Sequence, residues 1–208
     1  SHGYVETLRD LKLFRDALDP LKRILKINPN DIAALIRYAE NLRILGAFQE
    51  AKDLLEKVLQ EDPDDLFVLV EYGLALRGLK NFKAAKEQLK KALDRAPNDP
   101  FIFEEYVHIL YLLGDYLELF PLIKQFLQMD PQNVFKNVIY AECLLNNQKF
   151  EEAKVQFEKT IGMDPENLLA LQGYARTLQL LKKFDEALKP LEKVLKKQPN
   201  NEKALQLY

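Results

Sequence analysis

Tryptophan is absent from this chain of 208 residues, cysteine occurs once, histidine twice and glycine seven times, and neither sign of charge dominates. Each shortage excludes something. A lone Cys143 forms no intrachain disulfide, so a disulfide framework is ruled out. With one thiol and two separated histidines, His2 and His108, the chain has no clustered ligand set, and no metal or cofactor is expected. No glycine-rich phosphate loop or nucleophile triad signature occurs, and no catalytic activity is expected. Thirty Lys and Arg against thirty-two Asp and Glu give a formal charge of −2, which supplies no drive toward a phosphate backbone, so nucleic acid is not an expected partner. No apolar run approaches a membrane span, and the first fifteen residues, with Glu6, Arg9, Asp10 and Lys12, do not read as a signal peptide; direct membrane insertion is not expected. The single cysteine and the absence of an Asn-x-Ser/Thr acceptor point to a reducing compartment, with the cytoplasm as the expected location. What the chain does have is 48% apolar residues, enough for a packed core.

Those apolar residues are periodic. Pro29, Pro63, Pro97, Pro131, Pro165 and Pro199 are spaced 34 residues apart, and two residues after each stands Asp31, Asp65, Asp99, Asn133, Asn167 or Asn201. A short polar side chain there accepts the free backbone N–H groups of a helix start, so each period opens a helix. Sliding by 34 aligns Tyr38, Tyr72, Tyr106, Tyr140 and Tyr174, beside a mostly small-residue column of Ala39, Gly73, Val107, Ala141 and Ala175. Leu42, Leu76, Leu110, Leu144 and Leu178 complete one apolar helical stripe. A second helix follows, marked by Phe48, Phe82, Tyr116, Phe150 and Phe184, and then by Ala51, Ala85, Leu119, Ala153 and Ala187. A helical hairpin this small cannot bury its own stripe, so neighbouring hairpins must stack to share a core.

The Tyr-Ala/Gly, Leu, Phe-x-x-Ala and Pro pattern at a 34-residue period resembles the tetratricopeptide repeat family. The resemblance covers full repeats 32–65, 66–99, 100–133, 134–167 and 168–201, a partial repeat 1–31 carrying Phe14, Ala17, Leu21 and Pro29, and the start of a further or capping helix at 202–208. It implies an all-α fold, a right-handed superhelical solenoid of helix-turn-helix repeats forming a single array over 1–208. It also implies a non-enzymatic scaffold whose first helices line a concave groove for a helix or peptide of a partner protein.

The residues of that expected groove are Phe67, Val70, Leu74 and Arg77 in the second full repeat, Phe101, Glu104, His108 and Tyr111 in the third, Phe135, Val138, Glu142 and Leu145 in the fourth, and Arg176 in the fifth. They lie roughly 140° from the packing stripe at 100° per residue, so they are expected to face solvent as an apolar strip with sparse charges. The alternative is that Phe67, Phe101 and Phe135 pack sideways and finish the core. A subclass of the family grips a C-terminal carboxylate with Lys and Asn, but Ile36, Glu40 and Glu71 occupy the equivalent positions here, which disfavours such tails.

The third repeat departs from the pattern through Val107, Leu119 and Pro121, the proline being expected to bend its second helix; Pro20 and Pro190 stand at equivalent points. Residues 168–201 are basic, through Lys182, Lys183, Lys189, Lys193, Lys196 and Lys197 among others. Tyr4 and Leu8 fall in register, so the first helix is expected to begin before residue 1; Ser1, His2 and Gly3 look like a tag remnant, and Leu205 and Tyr208 fall in register at the other end. The expectation is a fragment of a longer protein. Two rivals to the adaptor reading follow: a rigid spacer or self-assembling segment associating through open ends, and a docking region of an enzyme whose catalytic domain lies elsewhere.

Overall fold

The computed structural model describes residues 12–208 and contains helices but no strand among them. The positions assigned to Ser1–Gly3, Tyr4 and Leu8 lie outside the described residues. Two compact units are formed, residues 1–113 and 114–208.

Unit 1 contains α1 (Leu18–Ile27), α2 (Ile32–Ile44), α3 (Phe48–Glu61), α4 (Leu66–Gly78), α5 (Phe82–Arg95) and α6 (Pro100–Leu113). Unit 2 contains α7 (Tyr116–Met129), α8 (Val134–Asn146), α9 (Phe150–Met163), α10 (Leu168–Leu180), α11 (Phe184–Lys197) and α12 (Glu202–Leu207). In unit 1 each helix packs on the next through α6. The same holds in unit 2 from α7 to α12, and α8 also touches α10.

The Asp/Asn column caps every first helix. Asp31, Asp65, Asp99, Asn133, Asn167 and Asn201 each accept from the backbone N–H three residues on, at 2.9, 2.9, 3.0, 3.1, 3.0 and 3.0 Å. Phe101 N–H also donates to Asp99, at 2.9 Å. These bonds satisfy donors that a helix start leaves orphaned.

A second column closes the first helices, and residue type alone does not signal it. Gly46, Lys80, Gly114, Gln148 and Lys182 all have left-handed φ, between 60° and 84°. At Gly46 the backbone N–H donates to Arg43 O at 3.0 Å and the next N–H, of Ala47, to Leu42 O at 2.8 Å. The same pair of bonds recurs at Lys80 and Asn81, Gln148 and Lys149, and Lys182 and Lys183. This is the Schellman closure, which turns the chain into the second helix within a few residues.

Inside the units, the small column lets helices approach: Ala39, Ala141 and Ala175 are fully buried, and so are Leu55, Leu89, Phe157 and Leu191 on the second helices. Leu18, Leu21 and Leu25 of α1 pack on the cluster built from α2, α3 and α4. Val107 and Leu119, the large residues of the third repeat, are both buried. Helices α1, α7 and α11 run on through Pro20, Pro121 and Pro190.

The tyrosine column is held from the preceding second helix in two ways. Tyr72 and Tyr174 donate their hydroxyls to Glu56 and Glu158, sixteen residues earlier, at 3.4 and 2.7 Å. Tyr38 and Tyr106 have Lys22 and Lys90 at that spacing, with the ammonium groups 5.9 and 5.8 Å from the ring centroids. Burial and the Glu158 contact push the Tyr174 phenol well above its usual range, while the Tyr174 bond draws the Glu158 carboxyl below its own.

Candidate functional site: the first-helix faces

The first turns of α4, α6, α8 and α10 each present an apolar side chain to solvent. In unit 1, Phe67 and Phe101 are 47% and 52% exposed; in unit 2, Phe135 is 40% exposed and Leu169 47%. The caps place these residues beside the helix N-termini, where the chain turns away from the core. Each keeps roughly half of its surface against neighbouring side chains and half in solvent.

Four residues expected to face solvent are instead buried. Val70, Leu74, Val138 and Leu145 belong to the core. The reason is that α4 and α8 are covered over a wider arc than one stripe. Helix α4 contacts α2 as well as α3 and α5, and α8 contacts α10 as well as α7 and α9. Apolar groups between successive first helices are thereby removed from water, and a helix apolar nearly all round is a buried one.

The polar residues are divided between exposed and partnered positions. In unit 1, Arg77 pairs with Glu105, and its guanidinium also lies 3.4 Å from His108 Nδ1. Burial, followed by the Arg77 charge, pushes the His108 imidazole below its usual value, against the pull of Glu105 and Glu104. Glu104 is exposed and Tyr111 half-buried.

In unit 2, Glu142 is half-buried and Arg176 exposed. Burial raises the Glu142 carboxyl above its usual range, partly offset by Arg176 and Lys203. Its Oε1 reaches over Gly173, 3.1 Å from where a Cβ on that glycine would stand. Tyr116 is held up by burial and by the Glu142 charge, and shares a side-chain hydrogen bond with Asn146. Cys143 is fully buried and its thiol is pushed up to about 12 by burial, which leaves it inert at neutral pH.

Two features escaped sequence reasoning. Arg43 holds the buried Glu71 bidentately, at 2.5 and 3.1 Å, across 28 residues, and Arg77 to Glu105 repeats that spacing. The signal was available as opposite charges 28 apart in successive periods. The second is Lys136, buried in a column otherwise filled by Ala34, Val68, Ile102 and Ala170, with its ammonium 3.5 Å from the Phe126 ring centroid. Nothing in a one-dimensional pattern predicts that contact. Among the described residues, no three His, Cys, Asp or Glu gather as a metal site, and no helix is long and apolar enough to cross a membrane.

No curated protein sequence matches the chain. Among solved structures, its fold is similar to YrrB, a TPR protein with an unusual peptide-binding site, at 21% identity and TM-score 0.71 over 89% of this chain and 96% of that one. It is also similar to MamA MSR-1, at 20% identity and TM-score 0.69 over 79% and 95% of the two chains. MamA RS-1 is a further match, at 18% identity and TM-score 0.70 over 83% and 98%. Likeness at such identities concerns the fold. The tetratricopeptide repeat family model matches residues 42–102 and 144–208, more than half of the chain. With the period, the capped first helices and the stacked hairpins all in agreement, the chain belongs to the tetratricopeptide repeat family.

Proposed function

We propose that the chain is a non-enzymatic protein-binding scaffold that holds an apolar helix or peptide of a partner against the exposed faces of its first helices. The observation that carries this reading is the exposure of Phe67, Phe101 and Phe135, three large aromatic side chains at equivalent repeat positions. Rigid aromatic side chains that are partly exposed serve as anchors for a partner. In unit 1 Glu104, His108 and Tyr111 supply polar contacts on these helices, with Arg77 oriented by Glu105, and in unit 2 Glu142 and Arg176 do so. The peptide-binding site of YrrB is consistent with a peptide ligand here. The unbroken spacing from Pro29 to Pro199 supports counting the repeats as one array.

The test is a pull-down from source-cell extract with wild type and with Phe67→Ala, Phe101→Ala and Phe135→Ala combined, after circular dichroism shows equal helicity. A protein retained by wild type and lost by the variant supports the reading; equal retention overturns it. A second reading, self-association, draws on the exposure of Phe184, Leu205 and Tyr208 at 61%, 54% and 61%. Sedimentation over a wide concentration range, with and without a polar helix appended after Tyr208, tests it. Association that the appended helix leaves unchanged argues against those residues.

A further inference from the structure

Tyr140 breaks the rule that holds the other tyrosines of its column. The residue sixteen positions earlier is Lys124, so no glutamate stands where Glu56 and Glu158 meet Tyr72 and Tyr174. The lysine does not take up the ring contact of Lys22 and Lys90 either. Phe120 stacks on Tyr140, with centroids 5.8 Å apart and planes 10° from parallel. Among the described residues, the Tyr140 hydroxyl has no hydrogen-bond partner and Lys124 has no ion pair.

Both line a cavity of about 230 Å³ between α7, α8 and α9, together with Gln128, Asn137, Gln156 and Lys159. No acidic residue lines it, although it has two lysines. Its wall is fixed. The fully buried Asn137 amide donates to Pro131 O and Asn133 O at 2.9 and 2.8 Å, and accepts from Gln156 at 2.6 Å. Two ammonium groups and a phenol hydroxyl around one concavity match a carboxylate, which accepts charge-assisted bonds from all three.

We propose that this cavity receives an aspartate or glutamate side chain from a partner protein, supplied from outside where Glu56 and Glu158 are supplied from within. A second depression of about 410 Å³ shares Tyr140 and Gln156, extends over Leu144 and the 63% exposed Val155, and carries Glu151 and Glu152 on its rim, so it suits an apolar side chain and repels a second acidic one. The occupant is therefore an acidic residue beside an apolar one. No residue of this site belongs to the first-helix faces proposed above, so the two readings succeed or fail separately.

The experiment is an amide chemical-shift titration of the whole chain with two blocked peptides, acetyl-Gly-Glu-Leu-Gly-amide and its Gln counterpart. Inorganic phosphate and acetate are run alongside. The Glu peptide is expected to shift Lys124, Tyr140 and Gln156 saturably, with an affinity about fivefold or more above the Gln peptide, the scale of one charged hydrogen bond. Lys124→Glu recreates the Glu56 arrangement and is expected to abolish that response while keeping the fold. Lys124→Gln, which removes charge without adding an acid, and Tyr140→Phe are each expected to weaken it severalfold. Equal binding of the two peptides, absence of shifts at these residues, or an unchanged response in folded Lys124→Glu and Lys124→Gln overturns the proposal. So does phosphate or acetate binding as tightly as the Glu peptide, which would mark a general anion spot.

Discussion

Single residues in this protein are fitted to their neighbours across repeats. Phe157 fills a column held elsewhere by Leu55, Leu89, Ile123 and Leu191, and its extra bulk is met by Gly173. A Cβ on Gly173 would stand 2.3 Å from Phe157 Cζ. Gly173→Ala is therefore expected to destabilise the protein by about 1–3 kcal/mol through overpacking, and to cost less in a Phe157→Leu background. Denaturant melts of the four variants check this, additive effects counting against it. Glu142 gives a pH signature at the same place. Its folded carboxyl titrates above its unfolded value, so the unfolded chain releases the proton first and the side chain weakens the fold as pH rises past the ordinary carboxylate range. Glu142→Gln is expected to melt higher than wild type at pH 7, the gain vanishing near pH 4. His108 has the opposite sign. Its folded imidazole titrates below the unfolded value, so acidification through the usual histidine range removes stability, and His108→Gln is expected to flatten melting temperature between pH 7 and 5.

Helix ends are where sequence and structure part most clearly. The cap column was legible because only a few side chains satisfy a helix start, and each predicted cap residue makes its bond. The left-handed column was not legible, because Lys80, Gln148 and Lys182 occupy it alongside Gly46 and Gly114. An L-residue there carries a steric cost of roughly 1–2 kcal/mol, which the two Schellman bonds and the following helix overcome. Lys80→Gly, Gln148→Gly and Lys182→Gly are each expected to stabilise by up to about 1 kcal/mol, with Gly46→Ala destabilising by a similar amount. Urea unfolding at constant m distinguishes these from changes in the unfolded state. The same limit applies to the face of α4. A 3.6-residue period locates one stripe, yet burial of Val70 and Leu74 depends on how many neighbours a helix has.

At the scale of the whole molecule, stability should follow the burial of each helix. Helix α1 has no buried residue and α12 has Ala204 alone, while α4 and α8 are buried over most of their surface. In a repeat protein each unit is stabilised by its neighbours, so native-state hydrogen exchange is expected to be fastest in α1 and α12 and slowest in α4, α5, α8 and α9. Uniform protection across all helices would contradict that picture. Period, the two-helix repeat, cap residues and repeat family were determined by the amino-acid sequence, because each rests on local rules repeated every 34 residues. Which polar groups meet was decided by tertiary structure. The pairing of Arg43 with Glu71, the Lys136 ammonium over Phe126 and the cavity beside Tyr140 all arise between helices, where distance depends on packing rather than on sequence separation.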